Sequence, residues 1–196
     1  PAMPEDFVAP PPRDEHAMAY DAARGVIVLF GGGGLQDTWE WDGEAWVERT
    51  PDGAVPPARF GHAMAYDARR GVIVLFGGLG DGVLNDTWEW DGEAWLERTP
   101  DDPVPTARPE HAMVYDAKRG VVVLFGGMAP AGLLQDTWEW HGGAWVERSL
   151  GGPMPVVRFA HAMAYDTARG VAVLFGGESA WSTRQDTWEW DGGKQQ

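Results

Sequence analysis

The stretch His16 to Gly32, HAMAYDAARGVIVLFGG, followed from Asp37 by DTWEWDGEAW, decides the fold, because the chain spells it four times. HAMAYD begins at His16, His62 and His161 and reads HAMVYD at His111, giving steps of 46, 49 and 50 residues. Each copy continues through an apolar run to Phe-Gly-Gly (Phe30, Phe76, Phe125, Phe175) and a variable stretch. DTWEW then starts at Asp37, Asp86, Asp136 and Asp186, and the first three copies add AW(V/L)ER. A period of this length marks a stacked repeat, in which each unit buries its apolar face only against the next.

The pieces of one copy read as four strands, a to d in chain order. In the first, His16, Met18 and Tyr20 fall on one face and Ala17 and Ala19 on the other, the period-two alternation of a sheet. The second, Val26 to Phe30, is β-branched and apolar on both faces, as expected of a central strand covered on both sides. The third sets Trp39 and Trp41 against Thr38 and Glu40. Asp42-Gly43 then predicts a type I′ hairpin turn leading into a fourth strand, Ala45 to Arg49.

Such a sheet cannot hide both faces alone, so the copies stack as blades about an axis, and the expected fold class is an all-β propeller of four-stranded antiparallel blades. Of the 12 Trp residues, 11 lie in the repeat. An indole burying about 150–250 Å² at about 25 cal/mol/Å² contributes roughly 4–6 kcal/mol as an upper bound. One domain over 1–196 is expected, with blades at about 13–58, 59–107, 108–157 and 158–196 and the termini near the last outer strand. Fifteen clear strands are predicted, with one deficient position between Lys194 and Met3.

These residues resemble the kelch repeat, in which a Gly-Gly pair closes the second strand and two spaced aromatics follow on the third and fourth. Here they are Gly31-Gly32 with Trp41 and Trp46, Gly77-Gly78 with Trp90 and Trp95, Gly126-Gly127 with Trp140 and Trp145, and Gly176-Gly177 with Trp190. The short interval between the two Trp resembles bacterial DTWEWDG variants, and galactose oxidase carries similar blades. The kelch resemblance implies five to seven blades, whereas this chain holds four. Three arrangements answer that: a compact four-bladed ring, two chains sharing an eight-bladed ring, or a piece of a longer propeller. The homodimeric ring is favoured because it removes exposed sheet edges.

With 30 Asp and Glu against 15 Lys and Arg, a formal charge of −15 argues against nucleic acid and anionic membranes as partners. The opening PAMPEDFVAPPPR lacks the basic and apolar regions of a secretory leader, and the chain has no Cys. These features favour the cytoplasm slightly over export and leave the compartment open.

Length varies in one connection, between Gly-Gly and DTW, which spans four residues in the first copy, seven in the second and eight in the last two. This b–c loop shares a face with the segments entering each first strand, and ligands are expected there. Arg13, Arg59, Arg108 and Arg158 lie three residues before the four His, so they are candidates to ring the channel mouth and bind a carboxylate, sulfate or acidic peptide. Bonding to neighbouring loop carbonyls or acids is the favoured alternative. His16, His62, His111 and His161 are candidate metal ligands at the axis, with bonding from blade to blade preferred. Trp181, outside the repeat pattern, is a candidate to stack on a peptide side chain or sugar, or else to pack over its own loop.

Enzyme readings find little support. No G-x-S-x-G elbow occurs, and without Cys the Cys-linked Tyr cofactor of galactose oxidase cannot form. Glu40, Glu89, Glu139 and Glu189 repeat identically, which suits a structural role better than one asymmetric acid/base pair. No catalytic residue and no cofactor is assigned. The expected function is a binding or scaffold propeller that takes a protein or peptide ligand on the b–c loop face. The alternatives are a sugar- or metal-binding propeller enzyme and a half-propeller that self-assembles.

Overall fold

The computed structural model describes residues 8–101, 103–148 and 153–193, and all regular structure in them is β. The first blade is β1 (Ala17–Asp21), β2 (Val26–Phe30), β3 (Thr38–Trp41) and β4 (Trp46–Glu48). The second is β5 (Ala63–Asp67), β6 (Val72–Leu79), β7 (Val83–Trp90) and β8 (Trp95–Glu97). The third holds β9 (Ala112–Asp116), β10 (Val121–Phe125), a side hairpin β11 (Met128–Ala129) with β12 (Gly132–Leu133), then β13 (Thr137–Trp140) and β14 (Trp145–Glu147). The fourth holds β15 (Ala162–Asp166), β16 (Val171–Phe175), a side hairpin β17 (Glu178–Ser179) with β18 (Ser182–Thr183), and β19 (Thr187–Trp190).

Each sheet is an antiparallel meander in sequence order, and the four are arranged as the blades of a β-propeller. The blade sheets contain the 15 expected strands; the fourth shows three, and its outer position at Lys194 lies outside the described residues. Register follows the alternation. Ala19 pairs with Val28 and Val28 with Glu40, whereas Met18 pairs with Leu29 and Leu29 with Trp39, so every blade has a small-residue face and an indole face.

The indole face of one blade packs on the small-residue face of the blade before it. Ala17, Ala19, Val28 and Phe30 form one cluster with Met64, Leu75, Trp88 and Trp90. Polar bonds add direction to this contact. Trp95 Nε1 donates to Thr38 Oγ1 at 2.9 Å, and Trp90 Nε1 donates to Glu40 Oε1 at 3.2 Å, with Trp145 on Thr87 and Trp140 on Glu89 repeating the pattern at 2.9 Å each. The inner strands β1, β5, β9 and β15 pack in series, and among the described residues β15 makes no comparable contact with β1.

Two local features differ from expectation. The c–d connection is not a type I′ turn, which needs two residues with positive φ. Asp42 N donates to Ala45 O at 3.3 Å, so the tip is Gly43-Glu44, and Asp42 Oδ1 accepts from the amides of Glu44 and Ala45. Only Gly43 is left-handed, at φ 104°. The b–c loops also carry structure of their own. In the second blade they extend β6 and β7 across a bulge between Phe76 and Gly78, and in the last two they form the side hairpins.

Candidate ligand-binding face

The four arginines expected at the channel mouth point into the fold instead. Arg59, Arg108 and Arg158 have no exposed surface, and the Arg13 side chain is 3% exposed. Each guanidinium forks onto the Asp that opens DTWEW in its own blade. Arg59 Nη1 and Nη2 donate to the two Asp86 carboxylate oxygens at 2.7 and 2.6 Å, Nη1 also donates to Gly77 O at 2.9 Å, and Nε donates to Pro57 O at 3.0 Å. Arg13 on Asp37, Arg108 on Asp136 and Arg158 on Asp186 repeat this bidentate pair. Burial pushes the Asp136 carboxyl up, but Arg108 overrides it and holds the group below the usual carboxylate range. The arginines therefore clamp the segment entering each blade to its third strand, the bonding to loop carbonyls and acids favoured from the sequence over a ligand-binding ring.

The histidines sit between blades. His62, His111 and His161 are buried and meet the rings of Phe30, Phe76 and Phe125 of the preceding blade edge-on, at 5.7, 5.5 and 5.5 Å between centroids. Their ring nitrogens make no hydrogen bond of ordinary geometry, although the Phe30 and Phe125 backbones approach His62 and His161, so ring-edge packing is the main contact from blade to blade. Burial, with the charge of Arg59 or Arg158 adding to it, pushes His62 down to about 3 and His161 to about 4. His16, for which the described residues hold no preceding blade, is exposed. Among the described residues no three His, Asp or Glu side chains converge as metal ligands would.

The repeated strand glutamates are likewise engaged at the other end of the blades. Arg24 donates to Asp21 at 2.6 Å and pairs with Glu40 at 2.6 Å; Arg70 joins Asp67 to Glu89, and Arg119 joins Asp116 to Glu139. These pairs tie the a–b turn to the third strand, and Glu40 and Glu89 also accept from the next blade's indole.

The free chemistry lies on the b–c loops. Trp181, at the tip of the hairpin β17–β18, is 95% exposed, so it does not pack over its own loop. The hairpin beneath it is tied down. Arg184 Nε donates to Ser179 Oγ at 3.1 Å, Ser179 Oγ donates to Ser182 O at 3.1 Å, and Phe159 and Glu178 form a β-bridge, the Phe159 amide donating to Glu178 O at 3.0 Å. Met128, at 38% exposed, opens the matching hairpin of the third blade, in the place that Glu178 holds in the fourth. The Glu110 carboxyl is raised by burial and by the nearby charges of Glu15 and Glu178. The face thus offers an exposed indole and, separately, a group of neighbouring carboxylates at Glu15, Glu110 and Glu178.

The chain is a β-propeller by its four sheets and their stacking. Compared with known proteins, it matches no family model and no curated protein.

Proposed function

We propose that this propeller is a non-catalytic binding module that takes a protein or peptide segment on its b–c loop face, with Trp181 as the anchor. The observation that carries the reading is the almost fully exposed indole on a hairpin braced by its own side chains. An indole in water loses apolar hydration when a ligand side chain covers it, and a braced loop adds little ordering cost. The carboxylates at Glu15, Glu110 and Glu178 favour a cationic group beside the apolar one. Within the propellers we read the chain as kelch-type. In support, Gly77 and Gly78 both adopt positive φ, and a Cβ on Gly77 would lie 2.7 Å from Arg108 O. The Gly-Gly pair is thus required where one blade's second strand passes the next blade's entry segment.

The test is capture from a native lysate on immobilised protein, run beside Trp181→Ala and Met128→Ala and read by mass spectrometry. Proteins retained by the parent and lost from Trp181→Ala support the reading. Identical sets on parent and variants overturn it, and retention of glycans on an array by the parent alone redirects it to a sugar ligand.

A further inference from the structure

Every junction between blades joins two unlike surfaces, and four blades in one chain make three junctions. That leaves over the indole face of the first blade and the small-residue face of the fourth. Met18 is 47% exposed, although its counterparts Met64 and Met113 are 7% and 8% exposed. At the other end Phe175 is 55% exposed, although Phe30 and Phe76 are fully buried and Phe125 is 2% exposed. The two ends carry the halves of one junction. Phe175 has the place of Phe30, and His16 has that of His62, which stacks on Phe30. Asp166 has the place of Asp116, which accepts from Tyr165 Oη at 2.7 Å, and Tyr20 has the place of Tyr165.

The backbone repeats the logic. Gly32, Gly78 and Gly127 donate to the carbonyls of Arg59, Arg108 and Arg158 in the following blade at 2.8, 2.9 and 2.9 Å. The next members of that series are Gly177 N and Arg13 O. On the axis side, Gly61 N donates to Glu15 O at 3.0 Å, Glu110 N to Gly61 O at 2.7 Å and Ala160 N to Glu110 O at 3.0 Å. That series continues to Glu15 N and Ala160 O, which again lie on the two ends.

We propose that a second copy of this chain occupies both ends at once, the fourth blade of each copy receiving the first blade of the other, to close an eight-bladed ring with its two-fold axis along the channel. A contact between unlike surfaces generates either a ring or an open filament. Propellers close at about four to eight blades. Four blades do not bring β15 onto β1, so the next multiple that closes is eight. The proposed contact is no new interface, because the sequence already forms it three times within one chain. This inference does not rest on ligand binding at Trp181, which lies at the tip of the β17–β18 hairpin.

The mass of the full chain in solution, by light scattering and native mass spectrometry, is expected to be twice 21.4 kDa. A single-chain mass, or a ladder of larger species, overturns the ring. Met18→Lys and Ala164→Glu test the pairing of unlike faces, since both positions are exposed in one chain and the variants are expected to melt cooperatively. Each alone places one unpaired ion in both junctions and is expected to weaken association by about 100-fold or more, giving single chains. Mixed in equal amounts they are expected to pair again, because one junction then sets the new cation beside the new anion and the other is unaltered. Variants that stay paired alone, or single when mixed, refute the arrangement.

Discussion

Protonating the three buried histidines opposes folding, and the effect is large enough to read at mild acidity. Burial is the main cause, and the neighbouring guanidinium adds to it, so that His62 is pushed down to about 3, His161 to about 4, and His111 well below its ordinary value. In the unfolded chain an imidazole titrates near 6.5. As pH falls the unfolded state takes up the protons first, so this stability is fully present above about 6.5 and is lost progressively until the folded values are reached. At pH 5 the gap is about 1.5 units, or about 2 kcal/mol for each histidine and about 6 kcal/mol for three. That rivals the whole stability of an ordinary domain, about 5–15 kcal/mol. The Asp–Arg clamps do not confuse the window. A carboxylate held low, such as Asp136, keeps its contribution above its unfolded value and loses it only as pH drops through its folded one. Urea unfolding followed by Trp fluorescence at pH 7.5 and 5.0, at one protein concentration, measures the loss. His62→Asn is expected to be less stable at both values yet to lose about one third less between them. An equal loss in parent and variant would show that His62 is not kept neutral by the fold.

Other perturbations separate the repeat's parts. Asp136→Asn leaves the fully buried Arg108 without its carboxylate and is expected to cost about 3–5 kcal/mol, seen as a lower urea midpoint. Gly77→Ala is expected to cost well over the roughly 1–2 kcal/mol of left-handed strain that Gly34→Ala suffers. A Cβ at Gly77 would meet Arg108 O at 2.7 Å, while one at Gly34 meets nothing within 4 Å. Trp181→Ala is expected to leave thermal stability unchanged within about 0.5 kcal/mol, because its indole is 95% exposed.

Strands, register and stacking were legible because they are written locally. Period-two alternation assigns Ala19 and Met18 to opposite faces, and the fourfold recurrence of that alternation forces the blades to pack on one another. The clamps were harder to read, because Arg59 and Asp86 are 27 residues apart and meet only after the entry segment wraps across the blade. A signal did exist: Arg and the DTWEW Asp occur once each in every copy, with equal number and opposite charge. A repeated buried pair explains that match better than a repeated ligand site. The blade-to-blade role of the histidines was legible from their recurrence, whereas the ring edge against Phe30 was not, because it depends on how far one blade is rotated on the next. Trp181 could be singled out from the sequence as the one indole without a counterpart, but its exposure depended on a hairpin tip that no periodicity describes.

The same register explains why the end faces matter. In this repeat nearly every motif side chain acts on a neighbour: the indoles reach back to Thr38 and Glu40, the Tyr165 hydroxyl to Asp116, and the imidazoles to Phe rings. An array of such units that ended in solvent would need polar outer faces in its terminal members. The fourth copy keeps Ala162, Ala164 and Phe175 on its outward face, and the first keeps Met18 and Tyr20. Apolar residues there gain nothing from water and would promote indiscriminate association. The first and fourth blades are spelled as the two between them are, and the surface that each lacks is the one the other presents.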